Sequence, residues 1–133
     1  MDRFKTIIVN AAVIVVVSLL LLWGDTRYRQ QTQYDLGVKK LAAGDYIGAI
    51  GGFEMAIHMY TPFSPLVGKS AQELWNIGES LEKKGDLPRA LVAYRALRSS
   101  FYAVHGLTQP GTDWIARCDD KIQRLVPQLP PAN

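Results

Sequence analysis

The sequence predicts an all-α protein: an N-terminal transmembrane helix, two helical hairpins and a C-terminal capping helix. Three observations carry that expectation. Residues 7–24 contain no charged side chain, which is close to the length of apolar helix that spans a bilayer. Two Gly-Asp pairs, Gly44-Asp45 and Gly85-Asp86, each stop one apolar pattern and start another. Beyond Gln30 the apolar residues recur at the three-and-four spacing of amphipathic helices. The expected organisation is a short tail (1–6), a transmembrane anchor (7–24), a juxtamembrane segment (25–29), a helical domain (30–126) and a flexible tail (127–133).

The anchor runs from Ile7 to Gly24 and is interrupted only by Asn10 and Ser18. At 1.5 Å per residue it suffices to span the hydrocarbon once Phe4 to Thr6 are added. Trp23 falls where an interfacial aromatic belongs, and Arg27, Tyr28 and Arg29 follow it toward the headgroups. A cleavable signal peptide is the rival reading. It needs small residues before its cleavage site, where this chain has Leu22, so a retained single-pass anchor is expected. Arg3 and Lys5 precede the span, and Arg27, Arg29, Lys39 and Lys40 follow it, so the charge rule does not choose an orientation. The cost of translocating a short basic tail leans toward a periplasmic domain at a bacterial inner membrane.

The first helix of the domain covers Thr32 to Ala43, with Tyr34, Leu36, Gly37, Val38 and Leu41 as its pattern, and Gly44 ends it. No breaker separates it from the span, so one continuous helix is an open alternative. The second helix runs from about Tyr46 to Tyr60 on the stripe Tyr46, Ala49, Ile50, Phe53, Ala56, Ile57 and Tyr60. Thr61-Pro62-Phe63-Ser64-Pro65 breaks the pattern. The third helix starts either at Pro65 with Ser64 as its cap, or at Ser70 in a capping box with Glu73. Leu74, Ile77, Gly78 and Leu81 face inward and Gly85 ends it. The fourth helix, Leu87 to about Ala103, buries Leu87, Ala90, Leu91, Tyr94, Leu97 and Phe101. Pro110 and Gly111 mark a loop, after which Thr112 is expected to cap a last helix that buries Trp114, Ile115, Cys118, Ile122 and Leu125. The aromatics of Tyr60–Phe63 and Phe101–His105 are expected to fill the seam between the hairpins rather than to act as contacts.

The net charge of +3 is scattered, with no basic cluster of the kind a nucleic-acid face needs. A single cysteine excludes an internal disulfide and a cysteine-rich zinc site. No metal-protease, nucleophile-elbow or phosphate-loop pattern occurs, and His58 and His105 stand in separate segments, so neither an enzyme nor a cofactor or metal is expected.

These residues resemble the tetratricopeptide-repeat (TPR) family, whose unit is a 34-residue pair of antiparallel helices. Leu36, Gly37, Gly44, Tyr46, Ala49, Phe53 and Ala56 match its pattern in the first copy. In the second, Ile77, Gly78, Leu81, Gly85, Leu87, Ala90 and Tyr94 match, while Leu97 replaces the last alanine. The two turns stand 41 residues apart, so the linker holds seven more than the family unit. The resemblance covers roughly residues 30–104, and residues 113–126 look like the family's end helix.

What the resemblance implies is protein binding through a groove lined by the first helix of each repeat. On this chain that means Gln31, Tyr34 and Val38, then Gln72, Trp75, Asn76, Glu79 and Lys83. Trp75 would suit as an anchor for a partner, or would pack under the last helix beside Trp114. Tyr34 and Val38 stand where the family's binders of acidic chaperone tails carry Lys and Asn, so that ligand class is not expected. A second candidate surface is the stripe Gly48, Gly52, Met55 and Met59, small and apolar opposite the core stripe of its helix. It is expected to admit a partner helix or a second copy of the chain. The resulting expectation is a membrane-anchored scaffold that holds a protein partner and contacts lipid through residues 7–24. The alternatives are an accessory subunit assembled through its span, with Asn10 and Ser18 as polar contacts, and an anchored receptor for amphipathic peptides.

Overall fold

A computed structural model describes residues 1–131, and all regular structure among them is helical. The helices are α1 (Asp2–Ala42), α2 (Tyr46–His58), α3 (Pro65–Lys83), α4 (Leu87–Ala103) and α5 (Thr112–Leu125), followed by a 3-10 turn at Val126–Gln128. The open alternative after the apolar run resolves to one helix. α1 passes through Gly24 without a break for 41 residues, about 60 Å, and takes in the tail, the anchor, the juxtamembrane segment and the first helix of the domain. Its apolar N-terminal half is long enough to cross a membrane and touches nothing else in the protein.

The two Gly-Asp turns are built alike. Gly44 and Gly85 take φ of +77° and +78°, the left-handed conformation that closes a helix at least cost in glycine. At each, the following aspartate N–H reaches back to the helix it leaves, Asp45 to the Lys40 carbonyl and Asp86 to the Leu81 carbonyl, both at 2.9 Å. The same aspartate then caps the next helix, with the Asp45 carboxylate accepting from the Gly48 N–H and Asp86 from the Arg89 N–H. Lys84 donates to the Tyr46 hydroxyl at 2.5 Å, and Arg89 lies 5.5 Å from the Tyr46 ring, so one turn is pinned to the other.

α2 is the central helix, packed by α1 on one flank and by α3 and α4 on the other, and α5 closes over α4. The core is accordingly one cluster running from Phe53 and Ile57 through Leu74, Leu81 and Tyr94 to Cys118 and Leu125. α3 starts at Pro65, with Ser64 as its cap, accepting from the Leu66 N–H at 3.3 Å. Ser70 instead lies buried inside the helix with its hydroxyl unpaired. α2 ends at His58, two residues short of Tyr60.

Three further expectations are corrected. Thr112 does not cap α5; Gly111 stands at that position, at φ +72°, because the Phe101 ring lies where a side chain would go. The tail expected to be loose from residue 127 begins in the 3-10 turn, and Leu129 packs on the core; residues 132 and 133 lie outside the described part. Phe101 fills the seam as expected, but Phe63 is fully exposed and holds φ of +64°.

Candidate functional site

The expected groove residues fall on two helices. Tyr34 and Val38, one turn apart, share a face of α1, with Gln31 a turn earlier. Gln72, Asn76, Glu79 and Lys83 share a face of α3. α1 and α3 touch, and burial, then the charges of Glu73 on α3 and Asp35 on α1, push the Tyr34 phenol pKa above its ordinary value. Tyr34 rests edge-on against Phe53 at 5.5 Å and is half-buried. Val38 stays 43% exposed, and Leu36 beside it 41%, which leaves apolar surface open on α1. Gln72 donates to Asn76 at 2.9 Å, so the exposed face of α3 presents a paired amide ladder.

Trp75 is not an anchor. It is 7% exposed, with Tyr94 at 5.0 Å and Trp114 at 6.1 Å between ring centroids. The Arg117 guanidinium lies 4.2 Å from the Trp75 ring and 4.5 Å from Trp114, a cation on two aromatic faces. Lys121 lies 5.7 Å from both the Trp75 and Tyr94 rings and pairs with Glu82 at 2.8 Å. The Tyr94 hydroxyl donates to that same carboxylate oxygen. Burial works against the Glu82 charge, but the hydrogen bonds from Lys121 and Tyr94 outweigh it and hold the carboxyl below its usual range. α5 therefore roofs this end of α3, and Glu79, Lys83 and Lys121 line a shallow polar depression at its edge.

The stripe on α2 does not form an open surface. Gly52 is buried, and a side-chain carbon on it would stand 2.7 Å from the Gly37 nitrogen and 2.8 Å from its Cα. The helix that approaches so closely is the chain's own α1. Gly48 sits over the Asp45 carboxylate that caps α2, and Met59 is half-buried. Of the four, Met55 alone is exposed, at 42%. Periodicity located the small side of α2 correctly but not its neighbour: α1 covers Gly52, and the free face of α2 lies round the helix at Ile47, Gly51 and Met55.

One residue that sequence reasoning missed ties the long apolar helix to the rest of the domain. Gln30 is fully buried. Its amide nitrogen donates to the Ala56 carbonyl at 2.9 Å, and its oxygen accepts from Ser64 at 2.5 Å with the Thr61 hydroxyl 3.5 Å away. It thereby locks α1 to the end of α2 and to the cap of α3. Nothing in the run Gln30-Gln31-Thr32-Gln33 distinguishes the first glutamine from the others.

Burial, with the charge of Asp119 adding to it, pushes the Cys118 thiol up to about 12, so it stays protonated and unreactive. Among the described residues no three metal-ligating side chains gather. No family model, curated protein or solved structure matches the chain.

Proposed function

We propose that this protein is a membrane-anchored scaffold of TPR-like architecture, which holds a protein partner at the surface of a bacterial inner membrane. The observation that carries this reading is the continuity of α1: a lipid-length apolar helix enters the domain unbroken and becomes part of its packing. A flexible linker would let the domain roam; a helix locked by Gln30 holds it at one height and tilt. Restricting a binding face to the membrane plane raises its effective concentration toward partners held there, without any new contact. The exposed face of Tyr34 and Val38 on α1 and Gln72, Asn76, Glu79 and Lys83 on α3 is the candidate binding surface, on the periplasmic side.

The test is in-cell photo-crosslinking from benzoylphenylalanine at Val38 or Asn76, with Arg95 on α4 as the control position. The scaffold reading expects a discrete protein adduct from the first two and not from Arg95. It expects the same adduct when residues 7–24 are exchanged for an unrelated span. Equal adducts from Arg95 would sink the choice of face. Loss of the adduct on exchanging the span would favour the accessory-subunit reading, in which the membrane helix itself makes the contact.

A further inference from the structure

We infer that the two loops at the Gln30 end of the domain, carrying Phe63 and Leu107, enter the interface of the same bilayer that α1 crosses, so that the domain lies against the membrane rather than standing off it. The inference rests on the anchor reading and adds to it a second membrane contact. α1 leaves the span at Gly24, and Gln30 follows six residues later, about 9 Å along the helix. At that height Gln30 is bonded to Ser64 and stands within reach of Thr61, so the loop between α2 and α3 lies there too. The loop between α4 and α5 lies at the same end: Tyr60, Phe63, Phe101, Pro110 and Trp114 line one depression between the two. The headgroup layer is several ångströms deep on each side of the hydrocarbon, so side chains on these loops are within its reach.

What the loops display fits that surroundings and no other on the molecule. Phe63 and Leu107 are both as exposed as in an extended peptide, the most exposed large apolar side chains among the described residues. Tyr60 and Tyr102, at 44% and 42%, flank them. Phe63 holds φ of +64°, a conformation that disfavours any residue with a side chain, and gains no contact within the protein in return. An aromatic in strained backbone, pointed at nothing in its own fold, is accounted for if hydrocarbon or headgroup receives it. Arg27, three residues before Gln30 on α1, holds its guanidinium 5.3 Å from the Trp23 ring and sets a cation at the headgroup level. The occupant is lipid because the helix axis puts lipid at this end of the domain and not at the end of the Gly44 and Gly85 turns.

Single cysteines placed at Phe63, Leu107, Lys83 and Leu19 in a Cys118→Ala background, each labelled with an environment-sensitive nitrobenzoxadiazole dye, test this in the full chain. The chain is reconstituted in vesicles of phosphatidylethanolamine and phosphatidylglycerol, with and without spin-labelled lipid. The expected result is emission at 63 and 107 shifted to the blue and quenched by at least about half by spin-labelled lipid, as at the interfacial depth of aromatic belts. Lys83, at the far end, should be quenched only by aqueous iodide. Quenching at Leu19 with none at 63 and 107 would overturn the docking while leaving the anchor intact. Iodide quenching at 63 would mean a domain standing clear of the membrane; protection from both quenchers would mean that protein, a second copy or a partner, covers the loops. An unquenched Leu19 would remove the anchor reading and this one with it.

Discussion

Adjacent glycines in α2 are predicted to respond in opposite directions to the same substitution. A methyl group on Gly52 would stand 2.7 Å from the backbone nitrogen of Gly37, 2.8 Å from its Cα and 3.0 Å from the Gln33 carbonyl oxygen. These are backbone atoms of α1, so nothing can rotate away, and the helices must separate or shift. Forcing an extra methyl into close packing typically costs about 1–3 kcal/mol, against a gain of about 1 kcal/mol for replacing glycine by alanine within a helix. A methyl on Gly51 meets nothing within 4 Å and keeps the gain alone. Gly51→Ala should therefore stabilise the domain by up to about 1 kcal/mol. Gly52→Ala should fall below it by about 1–3 kcal/mol, the cost of the displaced backbone. For a domain of this size each kcal/mol is about 4–8 °C in Tm. The assay is thermal and urea unfolding of the full chain in detergent micelles, followed by Trp75 and Trp114 fluorescence in a Trp23→Phe background. Helix propensity and unfolded-state entropy are the same for both variants, so their difference isolates the crossing. Equal shifts for the two would refute a close α1–α2 approach at Gly37 and Gly52.

Gln30→Leu leaves the Ala56 carbonyl without its buried donor and is expected to cost about 1–3 kcal/mol in the same assay. It should also loosen α1 from the domain, read as faster amide exchange at residues 61–66. Phe63→Gly removes a strained conformation and should raise fold stability by about 1–2 kcal/mol in detergent, while weakening lipid contact in vesicles. The Cys118 thiol, held near 12, should resist disulfide reagents at pH 8 until the chain is unfolded. Because its folded value lies above the unfolded one, near 8.5, its contribution to stability is complete below that pH. It is lost as pH rises toward 12, so Cys118→Val should lose less stability between pH 8 and 11 than the native chain, as read by urea midpoints. Glu82 shifts the other way, its contribution present above the ordinary carboxylate range and lost as pH falls. Lys121→Met should accordingly flatten the acid limb of the stability profile.

Much of the helical layout was legible because it depends on neighbours in sequence. The Gly-Asp turns announced themselves through two requirements met by adjacent residues, a left-handed glycine and a capping carboxylate, and both turns form as written. α4 spans Leu87 to Ala103, the range its stripe implies. The start of α3 was ambiguous because Ser64-Pro65 and Ser70 with Glu73 are both sound local signals. Ser64 prevails through a long-range bond to Gln30, which no window of sequence contains.

The candidate site was legible in outline only. The residues expected along α1 and α3 do share faces, but Trp75 among them belongs to the core, because α5 folds over it and sets Arg117 and Lys121 on its ring. Gly52 reads as small and free in sequence and proves to be where α1 crosses.

The sequence by itself determined the apolar span, the helices and the punctuation between them, since each follows from composition and spacing within a turn or two of chain. Only the tertiary structure decided which small face is a crossing and which is open, that the span and the domain share one helix with Gln30 as its lock, and that Phe63 is left outside. Those outcomes depend on which helices meet. Pairs such as Gln30 with Ser64, or Gly37 with Gly52, are distant along the chain and become neighbours only once the core has closed.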